Sequence, residues 1–257
     1  MTNGHTDRAR DARRLEDAQH CGELVTPTAE DLVMDTAAGY AVQRHRRSLR
    51  SESGDTQIGF KIGLTSAAAQ TSFATDEPVS GFLSAATMSV DGDVALTRLA
   101  APMLEVELAF VLGADLDADV TARGVLEATA AVAPAFEIVN SRWDGGARNV
   151  AMLVADNSYA AGAVLGPRTA PCVTDLRELA VTAFVGENRL DGHAANVMGD
   201  PARAVAWLAA HLAMRGERLR SGDIVLSGTL TTPTAVRSGD VAVADFGTLG
   251  RVRADFR

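Results

Sequence analysis

The chain has 257 residues, 47% of them apolar and 22% charged, with a formal net charge of −9. This is the composition of an ordinary globular protein able to bury a substantial core, and its acidic balance excludes a charge-driven grip on nucleic acid or anionic lipid. No run approaches the roughly 18 apolar residues of a membrane span; Cys21 and Cys172, without C-x-x-C spacing, form neither a disulfide framework nor a zinc ribbon and fit a reducing cytoplasm.

Residues 1–25 mix Arg8, Arg10, Arg13 and Arg14 with Asp7, Asp11, Glu16 and Asp17, which predicts a flexible or loosely packed arm and not a signal peptide. No repeat or low-complexity linker divides residues 26–257, so one domain, beginning with a helical segment, is expected there. Thr28 and Asp31 form a capping-box pattern that opens a helix reaching about Leu49, with Leu32, Thr36, Tyr40 and Gln43 on one face. Arg44, His45, Arg46, Arg47 and Arg50 then read as its solvated end. A strand over 58–64 carries Lys61, and a short alanine-rich helix runs from Thr65-Ser66 to near Phe73. Residues 76–83, with Pro78 and Gly81, read as a shaped turn.

Strands are expected at 94–99 and 103–112, a helix at 121–132, a strand at 134–140, a mobile loop at 141–149 and a strand at 160–165. A strand at 179–185 leads to a turn at 186–189. Asp200 and Pro201 open a helix that ends at Arg215, on which His211 reads as structural and not as a ligand. Further strands lie at 224–226 and around Gly247–Gly250. Strands outnumber helices without strict alternation, which predicts an α+β fold built on a large mixed or antiparallel sheet. No G-x-G-x-x-G, Walker loop, G-x-S-x-G or H-E-x-x-H occurs, so nucleotide-binding and serine-hydrolase functions lose their main support.

Two features carry chemistry. In Met103–Leu112 the strand period of 2 puts Glu105 and Glu107 on one face and Leu104, Val106, Leu108 and Phe110 on the other. At ~4 Å and an effective dielectric of about 20, two such carboxylates repel by roughly 4 kcal/mol, so a cation, a shared proton or open water must accompany them. Glu137, alone in the apolar run 134–140, is a third buried-looking acid. The second feature is Lys61, the only lysine among 24 basic residues, set in the apolar run Ile58–Leu64. Its alternatives are a chemical role, since lysine but not arginine readily gives up a proton when desolvated, and a side chain snorkelling from a strand end.

Several blocks together resemble the hydratase/decarboxylase branch of the fumarylacetoacetate hydrolase superfamily over roughly residues 30–257. They are Lys61-Ile62-Gly63-Leu64-Thr65-Ser66, Glu105-Val106-Glu107-Leu108-Ala109-Phe110-Val111-Leu112-Gly113, Pro134-Ala135-Phe136-Glu137-Ile138 with Ser141-Arg142, and Ala155-Asp156-Asn157. Gly222-Asp223-Ile224-Val225-Leu226-Ser227-Gly228 and Asp245-Phe246-Gly247 with Leu249-Gly250 follow in order. The resemblance implies a mixed β-sheet roll or barrel with flanking helices, acting as a metal-dependent lyase on a small 2-oxo-enoate or 2-hydroxy-dienoate. It makes Glu105, Glu107 and Glu137 ligands of Mg²⁺ or Mn²⁺, and an all-oxygen donor set suits such a hard cation.

Lys61 matches the lysine that acts as general acid/base or as cationic partner of the enolate. Asp156, Ser158 and Thr231 fall in segments near the substrate, and a homo-oligomer is implied. Two departures bear on the reaction: Val79 stands where hydratases carry a water-handling Asp, and Tyr159 stands where Ser is frequent. Both positions are therefore expected to touch substrate. Glu77-Pro78-Val79 with Gly81-Phe82-Leu83, and Gly228-Thr229-Leu230-Thr231, resemble decarboxylases of the 4-oxalocrotonate type, while 65–70 and 156–166 resemble the hydratases. Decarboxylation is placed ahead of hydration. A C–C hydrolase ranks lower because no Glu-His pair is identifiable, and a non-catalytic metal-binding relative is the rival from another class.

Overall fold

A computed structural model describes residues 3–171 and 176–257; Cys172 lies outside the described residues, and Cys21 is an exposed free thiol. The first departure from expectation is the N-terminal arm. Residues 3–21 form helix α1 (Asn3–Cys21), whose Ala12 and Leu15 pack fully buried against Val42, Trp143, Met152 and Ala155. The stripe was disguised because Glu16, a charged residue, shares the buried face and is satisfied there by Arg46 and Arg50. The capping box is present, with the Thr28 hydroxyl accepting from the Asp31 N–H and the Asp31 carboxylate from the Thr28 N–H. It opens only the single turn α2 (Ala29–Leu32). Asp35 caps the longer α3 (Thr36–Glu52). On α3, Arg46 and Arg50 are buried, correcting the solvated end expected for them.

Strand β1 (Gln57–Gly63) carries Lys61, and Ser66 caps α4 (Ala67–Ser72). The segment read as a turn contains β2 (Val79–Ser84), antiparallel to β1. Gly81 is there for proximity and not for a turn: a Cβ on it would lie 2.7 Å from the Asn157 carbonyl oxygen. β3 (Met88–Ser89) and β4 (Asp93–Val94) are short, and of the strand expected over 94–99 only Val94 pairs, in parallel with the last strand. β5 (Met103–Leu112) matches its prediction. The helix expected to reach Val132 stops as α5 (Ala122–Ala128), because Thr129, Ala131 and Val132 pair with Leu112, Val111 and Phe110 and begin β6 (Thr129–Val139).

The loop expected to be mobile holds Arg142 and Trp143, both buried, and leads into α6 (Val150–Ala155) and β7 (Ala160–Leu165). β8 (Ala180–Val185) turns at Gly186 into β9 (Asn188–His193), a strand the sequence reading lacked. α7 (Pro201–Ala213) follows, capped by Asp200. Its His211 is buried, accepts or donates at 2.9 Å to the Tyr40 hydroxyl and stacks on Trp207, a structural role. β10 (Ile224–Thr229), β11 (Thr234–Ala235), β12 (Val241–Asp245) and β13 (Arg251–Phe256) complete the chain.

The eight-stranded sheet runs β2-β1-β10-β5-β6-β7-β3 with β11 beside β5, and a five-stranded sheet runs β4-β13-β12-β8-β9. Most pairs are antiparallel, while β1–β10, β3–β7 and β4–β13 are parallel, giving the expected α+β mixed-sheet architecture with flanking helices. One face of β5 and β6, through Leu104, Val106, Leu108, Phe110 and Phe136, enters the main core with α7 and the second sheet. The opposite face is lined by small residues, among them Ala109, Ala133 and Ala135. Glu105, Glu107 and Glu137 share this face with them.

Candidate active site

The three acids converge because of register. Glu105 on β5 lies directly opposite Glu137 on β6, and Glu107 follows two residues on, so one oxygen from each carboxylate lies within 4.8 Å of the others. Glu107 and Glu137 are fully buried. β10 bulges between Leu226 and Thr229, and at the bulge the Gly228 N–H donates to Glu107 Oε2 at 2.8 Å. Gly228 has φ 112 and faces Thr65 so closely that a Cβ would sit 2.4 Å from its hydroxyl oxygen; only glycine meets both demands. Glu107 Oε1 and Glu137 Oε1 have no hydrogen-bond partner among the described residues.

Lys61 reaches the same face from β1, in register with Leu226 of β10. Its buried ammonium lies 3.2 Å from Glu137 Oε2 and donates to the Ser158 carbonyl at 3.0 Å. Burial lowers the basicity of Lys61, but Glu137, Glu105 and Glu107 outweigh it and hold the ammonium charged. For the acids, burial dominates: Glu107 is pushed well above the ordinary carboxylate range, further raised by Glu137 and Glu105. Glu137 is raised to about 7 by burial against the opposing pull of Lys61. One ammonium cannot neutralise three acids. Inward oxygens without donors, spaced within the spread of a single coordination shell and offering only hard donors, fit a divalent cation.

Lys61 and Glu105 open onto a cavity of about 560 Å³, with Glu107 and Glu137 buried behind them. Val79, Ser158, Tyr159 and Thr231 line it, as do Lys61 and Glu105. Asp156 does not, which corrects its expected place beside the substrate. It is fully buried and engaged by the backbone N–H and guanidinium of Arg142 and by Arg46. Leu64, Phe73, Val79, Leu153 and Tyr159 form one apolar wall. The sequence reading missed several contributors: the Gly228 N–H, the Ser158 carbonyl, and Phe73, Leu153 and Asn196 in the lining. Backbone groups leave no signature in side-chain identity.

Asn157, Ser158 and Tyr159 have φ of 53, 51 and 65, three successive left-handed residues of which none is glycine. Such backbone costs an L-residue roughly 1–2 kcal/mol, least for Asn, so neighbouring contacts must hold it. The Asn157 amide accepts from the Phe82 N–H at 2.8 Å and donates to the Phe82 carbonyl at 2.9 Å, and the Ser158 hydroxyl donates to the Ser80 carbonyl at 3.1 Å.

Residues 37–257 match the fumarylacetoacetate (FAA) hydrolase C-terminal family. The chain belongs to this family. It is 37% identical over 257 residues to 2-keto-4-pentenoate hydratase from Burkholderia vietnamiensis, covering 95% of each chain. It is 32% identical over 234 residues to 4-oxalocrotonate decarboxylase from a Pseudomonas species, covering 90% of this chain and 91% of the relative. Its fold superposes on 4-oxalocrotonate decarboxylase from Pseudomonas putida G7, complexed with magnesium and adipate, with a TM-score of 0.93. That match has 28% identity and covers 100% of this chain and 99% of the other. Relatives on both sides are lyases, and this family member is an enzyme of that class. The fold expected from the resemblance is the fold observed.

Proposed function

We propose that the protein is a divalent-metal-dependent lyase acting on small 2-oxo-enoates or 2-hydroxy-dienoates through a dienolate, with loss of a carboxyl group as CO₂ as its reaction. The observation that carries this reading is the convergence of three carboxylates and one lysine at one wall of a mostly apolar cavity, which Glu105 and Lys61 line. Glu105, Glu107 and Glu137 would hold Mg²⁺ or Mn²⁺, which when bound supplies Lewis-acid stabilisation of enolate charge. The chain's own groups do the rest. Lys61, fixed by the Ser158 carbonyl and Glu137, gives its Nζ proton to the dienolate carbon and recovers one from solvent. Leu64, Phe73, Val79 and Leu153 keep bulk water from the reacting carbons.

Among the described lining residues Lys61 is the only cation. A second substrate carboxylate would lie against apolar surface without a partner, which disfavours the anion relative to neutral CO₂. Val79, which lines the cavity with Lys61, has no group to orient a water molecule. Hydration is the second reading, favoured by the 37% identity to a hydratase. The same apolar end suits an uncharged vinyl tail. A homo-oligomer in a reducing cytoplasm is part of the proposal, on the resemblance and the sparse cysteines.

Incubation with Mg²⁺ or Mn²⁺ and either 2-oxohex-3-enedioate or 2-hydroxypenta-2,4-dienoate separates the readings. CO₂ release from the first is expected. Water addition to the second without CO₂ release from the first would assign the hydratase, and no turnover of these or related 2-oxo acids would overturn the enzyme proposal as stated.

A further inference from the structure

Lys61 does not find its own position. Gly81 flanks its side chain so closely that a Cβ there would lie 3.1 Å from its Cδ, and Gly63 lies beside its end. Apart from Glu137, the hydrogen-bond partner that fixes its end is the Ser158 carbonyl. That carbonyl belongs to the middle residue of the left-handed turn, a conformation its own sequence does not favour. The turn is held from two sides. Behind it, Asp156 is tied to Arg142 and Arg46. In front, the Asn157 amide pairs with both backbone groups of Phe82 as a neighbouring strand would. Asn157 itself does not line the cavity and touches neither Lys61 nor the acids by any hydrogen bond.

We propose that Asn157 is a positioning residue: by clamping its amide onto Phe82 it keeps the Asn157–Tyr159 turn left-handed and so aims the Ser158 carbonyl at the Lys61 ammonium. The proposal rests on the reading of Lys61 as the proton donor. Loss of the clamp lets the turn relax toward ordinary backbone and swings the carbonyl away. Lys61 then keeps only Glu137, and its proton is no longer presented to one face of the dienolate.

The test compares wild type, Asn157→Gly, Asn157→Asp and Lys61→Met, with Mg²⁺ and the 2-oxo-enoate that wild type turns over. Glycine tolerates φ near +53 but has no amide; Asp keeps the acceptor for the Phe82 N–H and loses the donor. For Asn157→Gly, kcat is expected to fall about tenfold while KM and the Mg²⁺ Kd change less than about twofold, with a smaller kcat loss in Asn157→Asp. In deuterated water, the variant product should lose the stereospecific deuterium placement of wild type. A purely structural Asn157 would not scramble that stereochemistry.

Wild-type kcat and stereospecificity in folded Asn157→Gly overturn the proposal; if that variant does not fold, the same result in Asn157→Asp does. A crystal structure provides a readout independent of turnover. A variant retaining Ser158 near φ 51 with Lys61 Nζ 3.0 Å from its carbonyl also overturns it. Full turnover by Lys61→Met would instead defeat the reading of Lys61, whereas an inactive Lys61→Met beside a wild-type-like Asn157→Gly would defeat the positioning role alone.

Discussion

Two buried clusters of charge meet at the turn after α6, and they are built on opposite rules. On one side, Glu16 and Asp156 are enclosed by Arg46, Arg50 and Arg142, with Glu16 at 2.6 Å from Arg46 and 2.9 Å from Arg50. Burial alone would raise Glu16, yet the two guanidinium groups outweigh it and lower it to about 2. On the other side, Glu105, Glu107 and Glu137 share one ammonium, and burial raises Glu137 to about 7. Guanidinium groups outnumber acids in the first cluster and acids outnumber cations in the second. A fold that gives Glu16 two guanidinium partners leaves Glu107 Oε1 and Glu137 Oε1 without a donor, and the compensation of these acids falls to something bound.

The largest effect expected from breaking this contrast is at Lys61. Lys61→Met should leave a folded protein whose turnover drops by about a hundredfold or more, the scale of losing a positioned proton donor, as measured by steady-state kinetics beside circular dichroism. Next are the acids. Glu105→Gln and Glu137→Gln should each weaken divalent-metal binding by at least about tenfold in calorimetric titration. Metal-free Glu107→Gln should melt no lower than wild type, since it removes a repelled charge; a clear drop in Tm would show that the acids are compensated within the chain.

In the other cluster the sign reverses. Arg46→Met leaves Glu16 and Asp156 short of a buried partner, and denaturant unfolding should show a loss of about 3–5 kcal/mol. The smallest effect is on pH dependence, where the clusters again oppose each other. Glu16 has its folded pKa below its unfolded one, so its contribution is complete above about pH 4.5 and is lost as pH falls toward about 2. Glu137 has its folded pKa raised, so in metal-free protein its contribution is present below about pH 4.5 and is lost as pH rises through about 7. Stability profiles of Glu16→Gln and Glu137→Gln, each subtracted from wild type between pH 2 and 8, should therefore slope in opposite directions.

The carboxylate strand was legible from residues alone, because alternation in 103–112 states which side chains share a face, and the Thr28 and Asp200 caps declare themselves over three or four residues. Helix α1 was not legible, since its buried Glu16 reads as solvent-facing until Arg46 and Arg50 are seen beside it. Gly81 looked like a turn residue because nothing local reveals that the Asn157 backbone crosses it.

By itself, then, the sequence determined the α+β class, the pairing of Glu105 with Glu107 on one face and the isolation of Lys61 in an apolar run. Only the tertiary structure decided that Glu137 lies across from Glu105, that Lys61 is held by a carbonyl 97 residues away, and that Asp156 serves Arg46 and Arg142 behind the cavity wall. The division has a physical cause. Periodicity and capping act between neighbours in the chain, whereas compensation of buried charge depends on which distant segments the fold brings within a few ångströms.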